Sequence, residues 1–82
     1  MKVGDMVRMR EIHSHIQFHP LFDSYTYKIG TSDCGEMNVD EVGLVLGVYR
    51  DGRRGSVRTV RIVTQGGSSG WISKDYIEVV WG

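Results

Sequence analysis

The sequence predicts an all-β protein, on three observations. The chain contains eleven glycines but one proline, and its apolar segments are rich in β-branched residues, a composition typical of strands joined by tight turns. Several short segments alternate apolar and polar side chains with the period of two expected of strands. No segment carries the 3.6-residue apolar stripe of an amphipathic helix.

The first strand is predicted within residues 3–10. Val3, Val7 and Met9 fall on one face of this segment, and Asp5 interrupts their alternation. We expect the strand to open the sheet with these apolar side chains on one shared face.

The clearest alternation lies in residues 42–49, where one face carries Val42, Leu44, Leu46 and Val48. Residues 51–55 read DGRRG and supply the glycine chemistry of a hairpin turn. The returning strand is predicted over residues 56–64, with Val60 and Ile62 facing inward and Arg61 facing outward.

A second glycine-rich turn is predicted over residues 65–69, before two final strands at 70–73 and 77–81. Lys74, Asp75 and Tyr76 join these two strands. Trp71 and Trp81 are expected to be core or rim residues.

Residues 11–41 form an insertion that is too long for a structureless loop in a small domain. Alternation over 12–18 and again over 25–29 predicts an extra hairpin, with a turn at residues 19–23. Residues 31–41 have no periodicity and are predicted to be a loop. The prediction is therefore one domain over residues 1–82, with about five strands and an insertion at 11–41.

The closing segment 70–77, GWISKDYI, resembles the end motif of SH3 domains, often written G-W/Y-I-P-S-N-Y-V. The resemblance implies an SH3-like β-barrel with an elaborated loop after its first strand. In SH3 domains the proline and tyrosine of this motif help to form the groove for proline-rich ligands. Here Tyr76 matches the tyrosine, but Ser73 replaces the proline and the acidic-aromatic opening motif is missing, which disfavours that ligand.

Residues 3–8, VGDMVR, followed by 41–46, EVGLVL, resemble the small SH3-like barrels of uncharacterised bacteriophage proteins. The same pattern is similar to the KOW motif of ribosomal and transcription-elongation proteins. The first resemblance implies a phage-encoded accessory protein, and the second implies nucleic-acid binding.

The overall composition favours no charged ligand, because the formal net charge is zero. The single cysteine, Cys34, excludes an intrachain disulfide and a cysteine-based zinc cluster. No apolar run long enough to span a bilayer and no export leader is recognisable, so a cytoplasmic protein is expected, in the host cytoplasm or the virion.

Aromatic residues in the insertion favour protein binding. Five apolar side chains there exceed what a small core needs and are predicted to form the centre of an interface with a host or virion protein: Phe18, Leu21, Phe22, Tyr25 and Tyr27. The alternative is that they pack the extra hairpin onto the barrel. Exposed barrel edges and these aromatics would also suit a homodimer.

Arginines in the predicted 50–61 hairpin favour a second function, the binding of nucleic-acid phosphates. They are Arg50, Arg53, Arg54, Arg58 and Arg61, opposed in that hairpin by Asp51 alone. An ordinary solvated hairpin face is the simpler explanation, because an acidic insertion balances these charges. The nucleic-acid interface is therefore the alternative to protein binding.

The sequence contains few residues arranged as a catalytic or metal site requires. His13, His15 and His19 would share a strand face, where they would bind a metal ion, titrate near neutral pH or serve as plain polar residues. No second ligand pair accompanies them, so no metal site is predicted. Cys34 lies beside Asp33 and Glu36, which disfavour a reactive thiolate. We therefore predict a non-enzymatic interaction module without a cofactor.

Overall fold

The computed structural model describes residues 1–10, 17–25, 33–51 and 55–81. Seven strands and a 3₁₀ helix fill these ranges: β1 Met6–Met9, β2 Phe18–Phe22, β3 Asp33–Asn38, β4 Val42–Asp51, β5 Ser56–Thr64, β6 Ser69–Ser73, the 3₁₀ helix Lys74–Tyr76 and β7 Ile77–Trp81. The all-β prediction is confirmed.

The strands form one antiparallel sheet in the order β3-β2-β6-β5-β4-β1-β7. Among the described residues, β3 and β7 do not pair with each other, so the sheet is not closed into a barrel. The sheet therefore has seven strands where a barrel of about five was expected, and β2 and β3 lie at one edge.

The core lies on one face of this sheet, and every strand contributes to it. The buried apolar residues are Val7, Met9, Leu21, Met37, Val45, Val60, Ile62, Ile72 and Ile77. Each such side chain contributes about 1.5–3 kcal/mol when it is removed from water. Contributions from all seven strands require the sheet to curve around one shared core.

The insertion folds differently from its prediction. Residues 19–23, expected to be a turn, lie mostly in β2, and residues 33–38, expected to be a loop, form β3. Pro20 pairs with Glu36 of β3, while β2 pairs with β6 at Phe22 and Trp71. Proline is tolerated in β2 because most of the strand pairs on one side only. Most of the predicted 12–18 and 25–29 strands lies outside the described residues.

A β-bulge changes which face of β4 is buried. Val45 pairs with Ile62, but the next pair is Gly47 with Arg61, which leaves Leu46 as the extra residue. Val45 therefore enters the core before the bulge and Val48 packs against the core after it. The sequence alternation conceals this change of face, and Leu46 is exposed.

The start of the chain corrects a second expectation. Val3 was expected to share a strand face with Val7 and Met9, which are buried, but it is 60% exposed, because residues 2–5 form a turn before β1 begins. The Asp5 amide donates to the Lys2 carbonyl, and Asp5 Oδ2 accepts from the Lys2 amide at 3.0 Å. Gly4, at φ 96°, supplies the left-handed conformation that this turn requires.

Glu41 joins the β3–β4 turn to the β5–β6 turn. Its Oε1 accepts from the backbone and side-chain nitrogens of Asn38, and its Oε2 accepts from the Gly66 amide at 2.9 Å. These hydrogen bonds, led by that of the Asn38 amide at 2.8 Å, hold the pKa of Glu41 below its ordinary value against the opposing effect of partial burial.

Candidate interaction surface

The outer face of the sheet, opposite the core, carries one row of residues across four strands. Gly47 of β4 pairs with Arg61 of β5, Arg61 pairs with Trp71 of β6, and Trp71 pairs with Phe22 of β2. Residues paired directly across antiparallel strands project from the same face. The registers therefore bring a guanidinium and two aromatic rings together on the face that the core does not use.

Trp71 reaches towards β4 because Gly47 has no side chain. A Cβ atom placed on Gly47 would lie 3.8 Å from Cη2 of Trp71, which is van der Waals contact. A side chain larger than alanine at this position would compete with the indole for the same space. Gly47 thus makes room for the tryptophan.

Tyr25 completes an aromatic cluster, defined here as Tyr25, Tyr49 and Trp71. Its ring stacks on Tyr49 at a centroid distance of 4.3 Å and meets Trp71 edge-on at 5.6 Å. Both arrangements are favourable for aromatic pairs. The Tyr25 carbonyl accepts a hydrogen bond from Thr59 Oγ1 at 3.2 Å, which ties the segment after β2 to β5.

The aromatic cluster adjoins a buried polar residue, Thr59, and is itself partly accessible to solvent. Thr59 pairs with Tyr49, yet its exposure is only 3%. Tyr25 is 42% exposed, so its ring also meets solvent. A rigid, partly exposed aromatic surface is a common centre of protein interfaces, since little side-chain entropy remains to be lost on binding.

An open groove of about 410 Å³ adjoins the cluster. Its lining combines the outer-face row with the bend between β2 and β3: Phe22, Asp23, Cys34, Arg61, Ser69, Gly70 and Trp71. Cys34 donates to the Ser69 carbonyl at 3.1 Å. Arg61 has no hydrogen-bond or ion-pair partner among the described residues.

A second groove of about 320 Å³ is lined by His19, Phe22, Ser73 and Tyr76. The rings of His19 and Tyr76 lie 3.9 Å apart at 32°, and His19 Nδ1 is 3.2 Å from the Pro20 carbonyl. Ser73 Oγ accepts from the Asp75 amide and caps the 3₁₀ helix. Phe22 lines both grooves and links this region to the aromatic cluster.

The five predicted interface residues of the insertion separate into different environments. Phe22 and Tyr25 join the outer surface, whereas Leu21 is fully buried in the core and cannot contact a partner in the folded protein. Phe18 is 49% exposed but pairs with Asn38 at the other end of β2 from Phe22. Tyr27 lies outside the described residues.

The predicted arginine group is also divided. Arg61 faces outward beside Trp71, whereas Arg50 pairs with Val57, whose side chain packs against the core, and donates to the Gly55 carbonyl at 2.6 Å. Arg58 is the bulge residue of β5, between the Tyr49–Thr59 pair and the Arg50–Val57 pair. Arg53 and Arg54 lie outside the described residues. The described arginines therefore do not form one continuous basic face.

Of the three histidines that were expected to share a strand face, one lies in the described residues. The ring of His19 lies against that of Tyr76 at a tilt of 32°, and His13 and His15 lie outside the described residues. In the ranges that the structure describes, no three His, Cys, Asp or Glu side chains gather closely enough to hold a metal ion.

Tyr49 and Trp71 were not predicted as part of a protein interface. Their contact with Tyr25 depends on the single β2–β6 pair and on Gly47, two strands away from Trp71. The only sign in the local sequence was Trp71, an aromatic residue next to Ile72, which already fills the core.

No known protein family, curated protein or solved structure matches this chain. Within the described ranges, no helix has both the length and the apolar character needed to cross a membrane.

Proposed function

We propose that this protein is a non-enzymatic interaction module that binds another protein through the aromatic cluster and the adjoining groove. The observation that carries the proposal is the contact of Tyr25 with both Tyr49 and Trp71 on the face opposite the core. These rings are held in place before a partner arrives, and Tyr25 remains 42% exposed.

The chemistry of the surface suits a peptide segment or loop of a partner protein. An apolar side chain would pack on the cluster, and a carboxylate or carbonyl oxygen would accept from Arg61. Such a combination of aromatic anchor and arginine is typical of the residues that dominate binding energy in interfaces. The groove beside the cluster provides the concave surface that such a segment requires.

Affinity capture with Tyr25→Ala tests this proposal. The wild-type protein is used as bait in a bacterial lysate, with and without nuclease, and the affinity of the captured protein is then measured in purified form. Tyr25→Ala keeps the backbone carbonyl that accepts from Thr59, so it removes the ring alone. We expect the dissociation constant to rise about 30-fold, which corresponds to about 2 kcal/mol.

The matched control is Phe18→Ala, because Phe18 is similarly exposed but lies away from the cluster. We expect this variant to bind within about twofold of the wild type. A partner that binds Tyr25→Ala as tightly as the wild type would contradict the proposal.

We also propose that the fold is SH3-like and that the protein is a phage-encoded accessory protein which binds a host or virion protein. The order β6-β5-β4-β1-β7 supports the first part, because it is the strand order of an SH3 domain, with the 3₁₀ helix before the last strand. The sequence resemblance to phage proteins supports the second.

Nucleic-acid binding is the alternative function, and one observation favours it. Arg61 pairs with Trp71 on the outer face, which places a cation beside a ring that can stack on a base. Binding to single-stranded oligonucleotides would then weaken between about 50 and 200 mM salt, by about threefold for each phosphate contacted. Arg61→Glu would abolish it, whereas a protein interface centred on the cluster would survive this change in salt.

A further inference from the structure

Thr59 lies on the outer face of β5 but is buried. Along this strand Val60 and Ile62 belong to the core, so Thr59 and Arg61 project from the opposite face. Arg61 is exposed, as expected on that face, whereas Thr59 is only 3% exposed. A part of the protein that does not belong to the sheet's core face therefore lies over Thr59.

The backbone of Tyr25 contacts Thr59 on this face. The Thr59 hydroxyl donates to the Tyr25 carbonyl at 3.2 Å, across a separation of 34 positions in the sequence. A buried hydroxyl without a partner is costly, so the burial of Thr59 favours this hydrogen bond. Among the described residues, it is the one hydrogen bond that Tyr25 makes.

The hydrogen bond and the ring contacts of Tyr25 act on the same small region. The Tyr25 ring stacks on Tyr49 at 4.3 Å and meets Trp71 at 5.6 Å. Tyr49 is the residue that pairs with Thr59 across β4 and β5, so the carbonyl and the ring of Tyr25 contact two paired residues. A backbone held in this way restricts where the ring can lie, which reduces the conformational entropy that stacking has to overcome.

We propose that Thr59 is the positioning residue of the interaction surface. Its hydroxyl holds the Tyr25 backbone over β5 and thereby keeps the aromatic cluster assembled before a partner arrives. The inference rests on the proposed function for its consequence, which is that a partner binds the assembled cluster. When the binding surface is assembled in only a fraction of the molecules, the apparent dissociation constant rises by the inverse of that fraction.

Three substitutions in β5 separate positioning from stability. Thr59→Val removes the hydroxyl and keeps the β-branched shape, so the Tyr25 carbonyl loses its donor. Thr59→Ser keeps the hydroxyl and is the rescue variant. Thr64→Val is the matched control, because Thr64 lies in the same strand at 5% exposure and its hydroxyl accepts from the Ser68 amide at 3.2 Å. A general loss of stability would affect the two valine variants alike.

Near-ultraviolet circular dichroism of the free protein measures assembly of the cluster, because it reports the fixed packing of aromatic rings. The wild type and Tyr25→Ala define the signals with and without the cluster. Loss of the hydrogen bond should lower the equilibrium constant for assembly about tenfold. We expect the signal of Thr59→Val to lie closer to that of Tyr25→Ala, and the signals of Thr59→Ser and Thr64→Val to lie closer to that of the wild type.

Three results of this measurement would overturn the proposal. A Thr59→Val signal closer to the wild type would show that the hydrogen bond does not hold the cluster. An equal loss in Thr64→Val would show that the signal follows overall stability. An equal loss in Thr59→Ser would show that shape, and not the hydroxyl, is what matters at this position.

Nuclear magnetic resonance of the wild type provides a measurement that needs no variant. Nuclear Overhauser contacts should connect the side chain of Thr59 with Tyr25, and the ring of Tyr25 with that of Tyr49. The buried hydroxyl proton of Thr59 should exchange slowly with water because it is hydrogen-bonded. A hydroxyl proton in fast exchange, or no contact between Thr59 and Tyr25, would also overturn the proposal.

Affinity for the protein captured by the wild-type bait distinguishes this inference from the proposed function. If both are correct, the dissociation constant of Thr59→Val rises by the factor by which its cluster signal falls, so a signal reduced to about a quarter gives about a fourfold rise. A variant that loses the signal but binds as tightly as the wild type would refute the proposed binding surface and leave the positioning role standing. If Tyr25→Ala weakens binding while Thr59→Val keeps the wild-type signal, the proposed function stands and the role of Thr59 is overturned.

Discussion

Gly70 occupies the most crowded glycine position in the described sheet, and Gly70→Ala should displace the β2–β3 hairpin. A Cβ atom at this position would lie 2.7 Å from Cys34 Sγ, 2.8 Å from Leu21 Cβ and 2.9 Å from the Phe22 carbonyl oxygen. Two of these three atoms belong to the backbone or to the root of a side chain, so rotation of a side chain cannot remove the conflict. The hairpin must therefore move away from β6.

The expected cost is about 3 kcal/mol, the upper part of the usual range of about 1–3 kcal/mol for an overpacked core. For 82 residues, typical stability is about 4–12 kcal/mol, so this cost would be a large share of the total. The melting temperature should fall by about 12–24 °C, at about 4–8 °C for each kcal/mol. Because Phe22 and Tyr25 move with β2, the contact between Tyr25 and Trp71 should also be lost.

Urea denaturation and thermal unfolding of Gly70→Ala measure this effect, with Gly47→Ala as the matched control. Gly47 also lies in a strand, but the nearest atoms to its added Cβ would be 3.8 and 3.9 Å away. Alanine there should leave stability unchanged or raise it by up to about 1 kcal/mol, since glycine is unfavourable within a strand. A loss below about 1 kcal/mol in Gly70→Ala, or equal losses in both variants, would refute this reasoning.

Three further predictions concern the core, a turn and the surface. Leu21→Ala should lower the free energy of unfolding by about 2–5 kcal/mol, because Leu21 is fully buried; a change below 1 kcal/mol in urea denaturation would place it outside the core. The lowered pKa of Glu41 stabilises the fold at neutral pH, and this contribution is lost as pH falls from the unfolded-state value of about 4.3 through the folded-state value. Glu41→Gln should therefore lose less stability than the wild type between pH 6 and pH 3, and equal losses would contradict the assignment. Arg8→Ala should cost about 0–1 kcal/mol and less at high salt, because its ion pair with Glu78 is about half exposed; a larger, salt-independent loss would indicate another role.

The end of the chain was predictable because its structure depends on neighbouring residues. Gly70 to Ser73 and Ile77 to Trp81 form strands as expected, and the intervening 3₁₀ turn is capped locally by Ser73. Val60 and Ile62 were likewise placed correctly inside, with Arg61 outside. In these segments local turn chemistry and side-chain alternation act in the same direction.

The insertion was not predictable because its pairing is non-local. Pro20 and Gly35 both lie in strands, although each is a weak strand former, and β2 is held by β3 and by one pair to β6. Leu21 entered the core rather than an interface because the sheet requires an inward residue there. The β4 bulge at Leu46 was also hidden, since a one-residue insertion changes the buried face without changing composition.

Only the residue types of the candidate site, and not their assembly on one face, were predictable from the sequence. Aromatic residues of the insertion and arginines of the hairpin were considered as two separate surfaces, whereas the registers bring Tyr25, Trp71 and Arg61 onto one face. This assembly depends on contacts between β2, β5 and β6, which are distant in the sequence. Alternation within a single strand cannot reveal such a contact.

The two tryptophans stand in different surroundings, and this gives each surface its own fluorescent reporter. Trp71 contacts Tyr25 within the aromatic cluster, while Trp81 is 76% exposed on the edge strand. Indole emission shifts to shorter wavelength when water is excluded, and an exposed indole is readily quenched by iodide. Variants with one tryptophan replaced by phenylalanine would therefore separate the two surfaces optically: partner binding at the aromatic cluster would change the emission of Trp71 and leave that of Trp81 unchanged.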